Sequence, residues 1–396
     1  MKVLSPSYLK SFKCIGSSCK DNCCIGWAVD IDKTTYEKYE KVGSEPLKSI
    51  MEEHVHENPD CYDEAVDFAV VSLTKSHRCP FLNEKNLCKI QCEYGEAYLS
   101  NVCNQFPRMY NRVDGKLEVS ASVSCPEIAE IMVKCSEGLS FEIIEQSDAR
   151  EVMVGFDVMT KDDVYKGTPV EMLLKIRWIC MDIMQNRLLP IDERFKEVGA
   201  FVFSLTNVSG KQNITRLMDA QRSKKYESQS LKTPMHFSVK TLEVSKDILA
   251  LLNPDRTIES KRYLSYVNEA EAAIDGMGIV EVIAGKSKYF DPYFDERIHV
   301  IENFFSNHMF KSLFPFTEAE WTFHAYLLML CRFILIKRQL VGLAISRKGL
   351  DDALIMDYLQ VFSKAIEHHR HFMLDLTDWF YHLKIDNMKS VTKRLI

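Results

Sequence analysis

Beyond about residue 160 the chain carries apolar side chains at three-to-four spacing over long stretches, whereas before residue 135 it breaks into short pieces at Gly, Pro and Asn. Apolar residues at that spacing line one face of an α-helix. Amphipathic helices are predicted over 170–186, 192–207, 240–252, 261–273, 295–311, 318–343, 350–371 and 372–384. The stretch 223–234 reads SKKYESQSLKTP, polar and poor in apolar residues, so a loop is expected there. No repeat of solenoid length and no low-complexity tract interrupts this pattern. The longest apolar run, 325–336, is too short to span a bilayer and holds Arg332 inside it, which predicts a buried helix and no membrane partner.

The N-terminal third reads differently. Asn22-Cys23-Cys24-Ile25-Gly26 and Asn83-Glu84-Lys85-Asn86 have the texture of loops wrapped around a metal site. Short helices are expected over 33–41, 95–105 and 126–134, with Asp32 and Ser124 as caps. The expected fold class is therefore mainly α. A loop-rich N-terminal cysteine-cluster module over residues 1–140 is followed by an all-helical C-terminal region over 160–396. Asp275-Gly276-Met277-Gly278 contains a G-x-G, but no strand precedes it and the third glycine is missing, so no Rossmann-type methyltransferase domain is expected.

Composition sharpens the chemistry. The 396 residues are 46% hydrophobic and 27% charged, enough for a sizeable core, and the net charge of −6 gives no basic field for nucleic acid. Of thirteen cysteines, eleven precede residue 136, and four fall in one run, Cys14, Cys19, Cys23 and Cys24. The first residues, MKVLSPSYLKSFKCI, do not resemble a signal peptide, so a cytoplasmic location is expected. In that reducing compartment clustered thiols bind metals or do chemistry, and an odd total also argues against full pairing. Neither the C-x2-C pairs of a zinc ribbon nor the C-x2-C-x2-C-x3-C run of bacterial ferredoxins is present. What remains is a non-standard thiolate set suited to zinc or an iron–sulfur cluster and unsuited to magnesium or calcium. Cys180 and Cys331 lie in apolar helical contexts and read as core.

The order of these residues resembles a known family. F-x-C-x4-C-x3-C-C-x-G-W runs from Phe12 to Trp27, followed by C-P-F-L at Cys79, Leu87-Cys88, C-x3-P-R from Cys103 to Arg108, and S-C-P-E at Ser124. This pattern is similar to the flagellin lysine-N-methylases, within a broader group of zinc- or iron-chelating cysteine-cluster proteins. Weaker likeness continues in Leu313-Phe314-Pro315-Phe316 and Glu367-His368. The resemblance implies methyl transfer from S-adenosylmethionine to the ε-amine of flagellin lysines, and a [4Fe–4S] cluster held by the cysteine module. The family-like positions are Cys14, Cys19, Cys23, Cys24, Cys79, Cys88, Cys103 and Cys125, more than one cubane can use. The helical region would then shape the cofactor pocket and dock the protein substrate.

Arg108 is a candidate for holding a cofactor carboxylate bidentately, against the commoner role of an ion pair. Trp27 reads as an anchor of its loop. Cys61, Cys92 and Cys135 fall outside the pattern. His368, His369, His371 and His382 lack the i, i+4 placement of a metal pair. The basic stretch 211–225 reads as a solvated face. The alternative to an enzyme is a non-enzymatic zinc- or iron-binding protein.

Overall fold

Alternating side chains at both ends of the N-terminal region build a sheet that the cysteine spacing hides. The computed structural model describes every residue except 27, 28, 44, 46, 147–151, 228–234, 259 and 368. It divides into two compact units, Met1–Ile128 with Phe141–Asp157, and Ala129–Ser140 with Val158–Ile396.

The first unit contains β1 (Lys2–Pro6), β2 (Val29–Ile31), β3 (Val55–Glu57), β4 (Ala69–Val71), β5 (Arg108–Val113), β6 (Lys116–Ala121), β7 (Phe141–Glu145) and most of β8 (Val154–Val158). A five-stranded sheet has the order β7-β1-β6-β5-β8, and a three-stranded one the order β2-β4-β3. β5 and β6 are an antiparallel hairpin in which Arg108 faces Ala121 and Val113 faces Lys116. Its two-residue turn, Asp114-Gly115, has positive φ at both positions (50° and 74°), the conformation that matches the right-handed twist of the flanking strands. β1 runs parallel to β6 and antiparallel to β7, with Val3 opposite both Leu117 and Ile144.

Helices fill the spaces between strands. They are α1 (Lys33–Glu40), α2 (Leu47–His54), α3 (Lys89–Tyr94), α4 (Asn101–Gln105) and the first residues of α5 (Pro126–Lys134), the rest of which belongs to the second unit. Asp32 caps α1 by accepting from the Thr35 N–H at 2.9 Å, and its other oxygen accepts from the Asn101 N–H at 2.8 Å. One buried carboxylate thus ties the start of α1 to the start of α4. The single helix expected over 95–105 is instead a 3-10 turn, Glu96–Tyr98, and the short α4, because Ser100 is extended and caps α4 through the Cys103 N–H. Cys125 is the residue that directly precedes α5, and the Ser124 hydroxyl is hydrogen-bonded to that of Ser122. The expected loop at 223–234 lies outside the described residues over 228–234, and Trp27 lies outside them too.

The second unit is helical after the short 3-10 turns near its start, with no Rossmann-type fold. It holds α6 (Leu173–Met184), α7 (Ile191–Thr206), α8 (Lys211–Arg222), α9 (Val239–Leu252), α10 (Pro254–Thr257), α11 (Lys261–Ile274), α12 (Ile279–Gly285), α13 (Asp291–Arg297) and α14 (His299–Lys311). It ends with α15 (Thr322–Arg347), α16 (Asp352–Ile366), α17 (Arg370–His382) and α18 (Met388–Arg394). The basic stretch read as a solvated face is α8, which buries Ile214, Met218 and Gln221 at three-to-four spacing. The expected 295–311 helix divides into α13 and α14 near Ile298, and the expected 350–371 helix stops at Ile366. Gly276 and Gly278 lie between two helices, α11 and α12, with no strand before them.

α15 is the core element, buried from Phe323 to Ala344. It packs so closely on α11 that a Cβ on Gly342 would come within 2.4 Å of the Ala270 carbonyl oxygen. Arg332, inside the apolar run, is buried and paired: Glu318 Oε1 lies 2.9 Å from its Nη2, and Glu318 Oε2 lies 2.9 Å from His308 Nε2 on α14. Burial raises the Glu318 carboxyl, but Arg332 and His308 beside it outweigh that and hold it well below the usual carboxylate range. A carboxyl depressed in the folded state contributes stability above its unfolded pKa, and that contribution fades as pH falls toward the folded value. The Glu318→Gln variant is accordingly expected to lose about 3 kcal/mol or more at neutral pH, as when one partner of a buried pair is removed. It should also show a shallower fall of Tm between about pH 5 and pH 3 than the parent. Calorimetric melting across that range checks both; parallel curves would remove Glu318 as an acid-sensitive element.

Candidate metal centre

The cysteines come together because short turns fold the loops between them. Asn22 accepts from the Cys24 N–H at 2.9 Å, and its amide donates to the Asn86 carbonyl at 2.7 Å, so one side chain shapes the Cys23-Cys24 turn and fastens it to a second loop. Gly26 N–H donates to the His77 carbonyl at 2.9 Å and Cys79 N–H to the Cys24 carbonyl at 2.9 Å, which pairs the first cysteine run with the strand-like stretch ahead of Cys79. Beyond it the chain doubles back. Asn83 accepts from the Lys85 and Leu87 N–H groups, and a bridge between Leu82 and Cys88 closes the turn. Cys88 then precedes α3, Cys103 lies in α4, and Cys125 precedes α5.

These folds bring seven thiols near one another. Cys23 is the hub, close enough to act electrostatically on Cys19, Cys24, Cys79, Cys88, Cys103 and Cys125. Cys14 is exposed and reaches the group through Cys19. Apolar side chains back the shell: Cys24, Cys88 and Cys103 pack against a core that includes Tyr39, Phe81, Ile90 and Leu99. Arg108 stands at the start of β5 with its guanidinium carbon 5.1 Å from the centre of the Phe12 ring. Cys92, exposed one turn after Cys88, acts on that thiol. Cys61 is held instead by Asp67, and Cys135 by the Gly138 carbonyl. Cys180 and Cys331 are buried in helices of the second unit.

Electrostatics explain how this shell would behave. Burial pushes Cys79 up to about 11 and Cys103 and Cys125 up to about 12, since a thiolate taken out of water loses its hydration. Cys24 is raised by its hydrogen bond to Cys23 and then by burial. Nearby donors partly counter the rise. The Ile128 and Glu127 amides approach Cys125, the Gln91 and Ile90 amides approach Cys88, and the Ser100 hydroxyl approaches Cys103. Such N–H and O–H donors also stabilise thiolate in metal and iron–sulfur sites.

The donor chemistry fits a soft metal or an iron–sulfur cluster, because the shell supplies sulfur, amide donors and an apolar backing. Among the described residues no three His, Cys, Asp or Glu side chains converge to the spacing that grips a single ion. The histidines offer no second site there: His369 caps α17 by accepting from the Phe372 N–H at 3.1 Å, and His368 lies outside the described residues.

Spacing alone ranks the eight family-like cysteines equally and misses two structural partners. Asn22 and Ser100 orient Cys24 and Cys103, and Asn22 before a double cysteine and Ser100 three before Cys103 are the signals that would have found them.

Residues 177–393 match the FliB lysine N-methylase C-terminal domain. Lysine-N-methylases of Salmonella typhimurium and Salmonella choleraesuis are each 30% identical over 152 residues, 37% of this chain and 36% of theirs. The flagellar biosynthetic protein FliU of Salmonella muenchen is 32% identical over 130 residues, 32% of this chain and 73% of its own. The alignment thus spans about a third of the length of the two methylases. No solved structure matches the chain.

In metal-free protein, alkylation followed by mass spectrometry should label exposed Cys14, Cys23 and Cys92 first, and buried Cys79 and Cys125 only after unfolding. Equal labelling of all five in the folded state would mean that the loops do not hold this shell.

Proposed function

The chain belongs to the FliB lysine N-methylase family, and we propose that it transfers a methyl group from S-adenosylmethionine to the ε-amine of lysines in flagellin, using a [4Fe–4S] cluster held by its N-terminal thiols. The observation that carries this reading is the joining of a methylase-family helical region to a shell of seven cysteines centred on Cys23. The name of the FliU relative adds the link to flagella. No helix among the described residues is long and apolar enough to cross a membrane, and the proposed setting is the cytoplasm, where the thiols stay reduced.

Bound S-adenosylmethionine would supply an electrophilic methyl group, and the cluster an iron centre that draws the thiolates inward. Cys23, Cys24, Cys79, Cys88 and Cys103 would hold such a cluster, with Cys19 and Cys125 beside them. Tyr39 and Phe81, whose ring centres are 6.2 Å apart, would exclude water from its inner side. The target lysine must lose a proton before its lone pair can form the new N–C bond as the S–C bond breaks, leaving S-adenosylhomocysteine.

Protein purified without oxygen should contain about four irons and four sulfides per chain, absorb near ~400 nm, and add methyl groups to flagellin in mass spectra. Cys23→Ser should lose iron and soften the N-terminal unit, because metal-binding energy is coupled to folding, whereas Cys180→Ser should keep its iron. A colourless zinc protein that leaves flagellin unmodified would replace this reading with that of a metal-binding module.

A further inference from the structure

Opposite faces of α4 serve two environments. Cys103 belongs to the thiol shell, whereas Gln105, two residues on, lines a cavity of about 500 Å³ within the first unit. Successive helical residues turn by about 100°, so positions two apart face nearly opposite ways. Gln105 is 7% exposed, and its amide nitrogen has no hydrogen-bond partner. Arg108, Asn104 and Glu145 line the same cavity, with Leu9 and Ile144 as apolar wall. Arg108 rests on the Phe12 ring and shows no ion pair among the described residues. Tyr110 and Gln146, also in the lining, are hydrogen-bonded to each other at 2.9 Å and so are satisfied.

A buried amide donor without an acceptor is rare in folded proteins and calls for a ligand oxygen. A guanidinium on the same wall specifies that oxygen as part of an anion, and a carboxylate is the planar anion it takes bidentately. Lys10, also in the lining, is engaged by Glu142 at 2.6 Å, which leaves Arg108 to meet the ligand's charge: a polyphosphate would stay largely uncompensated, whereas a single carboxylate is matched. Glu145 supplies a counter-charge for an ammonium group. The volume falls within the roughly 300–1,000 Å³ usual for cofactor sites. The larger cavity near the start of α16, about 640 Å³, lacks these features: Arg297 is engaged by Asp352 at 3.2 Å, and none of its lining residues has a buried polar side-chain atom without a partner.

Resting on the methyl-donor reading above, we propose that this cavity seats S-adenosylmethionine by its amino-acid end, with the carboxylate on Arg108 and Gln105 and the ammonium on Glu145. α4 is then the partition between the donor and the thiol shell. The Arg108→Ala and Gln105→Met variants of the full chain, purified without oxygen, test this by titration calorimetry with S-adenosylmethionine, alongside iron content and circular dichroism. Each variant should bind at least about tenfold more weakly than the parent, as expected for a lost charge-assisted hydrogen bond, with iron and helicity unchanged. Parent-like affinity in both variants would overturn the cavity assignment and leave the methylase reading standing. A parent protein that binds no S-adenosylmethionine would overturn the methylase reading itself. Should Arg108→Ala lose its iron or its fold, Gln105→Met decides alone: weaker binding supports the site, and unchanged binding removes it.

Discussion

A thiol removed from water keeps its proton unless a cation takes the place of that water, and the N-terminal unit is organised around this constraint. Its cysteines are set against an apolar core of Tyr39, Phe81, Ile90 and Leu99, and burial is the leading cause that raises Cys79, Cys88, Cys103 and Cys125. No arginine or lysine is among the strongest influences on these four thiols; their perturbers are one another and nearby N–H or O–H donors. Catalytic cysteines are built the other way, with a positive neighbour that draws the proton off. A shell of mutually repelling, desolvated sulfurs with amides turned toward them suits an external cation that several thiolates share.

Holding such a shell open costs conformational entropy, and the unit offsets it with polar side chains that satisfy backbone groups in the loops. Asp32 does this for α1 and α4 together, Asn22 for the double-cysteine turn and the loop around Asn86, and Asn83 for the turn between Cys79 and Cys88. Asn22 and Asn83 lie one to five residues from a cysteine, and Asp32 holds the first N–H of the cysteine-bearing α4. The loops are therefore specified by hydrogen bonds, and the apolar core only backs them.

Much of the helical unit was legible because its period is written in apolar residues: α7, α9, α11 and α15 each begin and end within four residues of the positions the pattern predicts. α8 was not, since only Ile214 and Met218 mark its buried apolar face among charged neighbours. The sheet was missed for two reasons. The β5–β6 hairpin is signalled by Asp114-Gly115 between alternating runs, but one short hairpin cue does not announce a five-stranded sheet. The parallel pairing of β1 with β6 joins residues more than a hundred positions apart, and no local pattern carries that information. Cysteine spacing marks the thiol-bearing module but cannot order its members. Which thiols meet depends on loop closures such as Leu82 with Cys88 and Ile25 with Arg78, and those depend on turn residues.

α4 is where these threads meet. It is five residues long, too short to be stable alone, and is held by Ser100 at its cap and by Asp32 on its first N–H. On so short a helix the orientations of Cys103 and Gln105 are not independent, because a rotation that moves one sulfur of the shell moves the unpartnered amide on the other side. Thiol shell and cavity are thereby coupled through a single turn of backbone, and a change in the sulfur ligation of Cys103 that rotates this turn would be felt at Gln105. The coupling follows from the covalent geometry of the helix, so it requires only that Cys103 be among the thiols used.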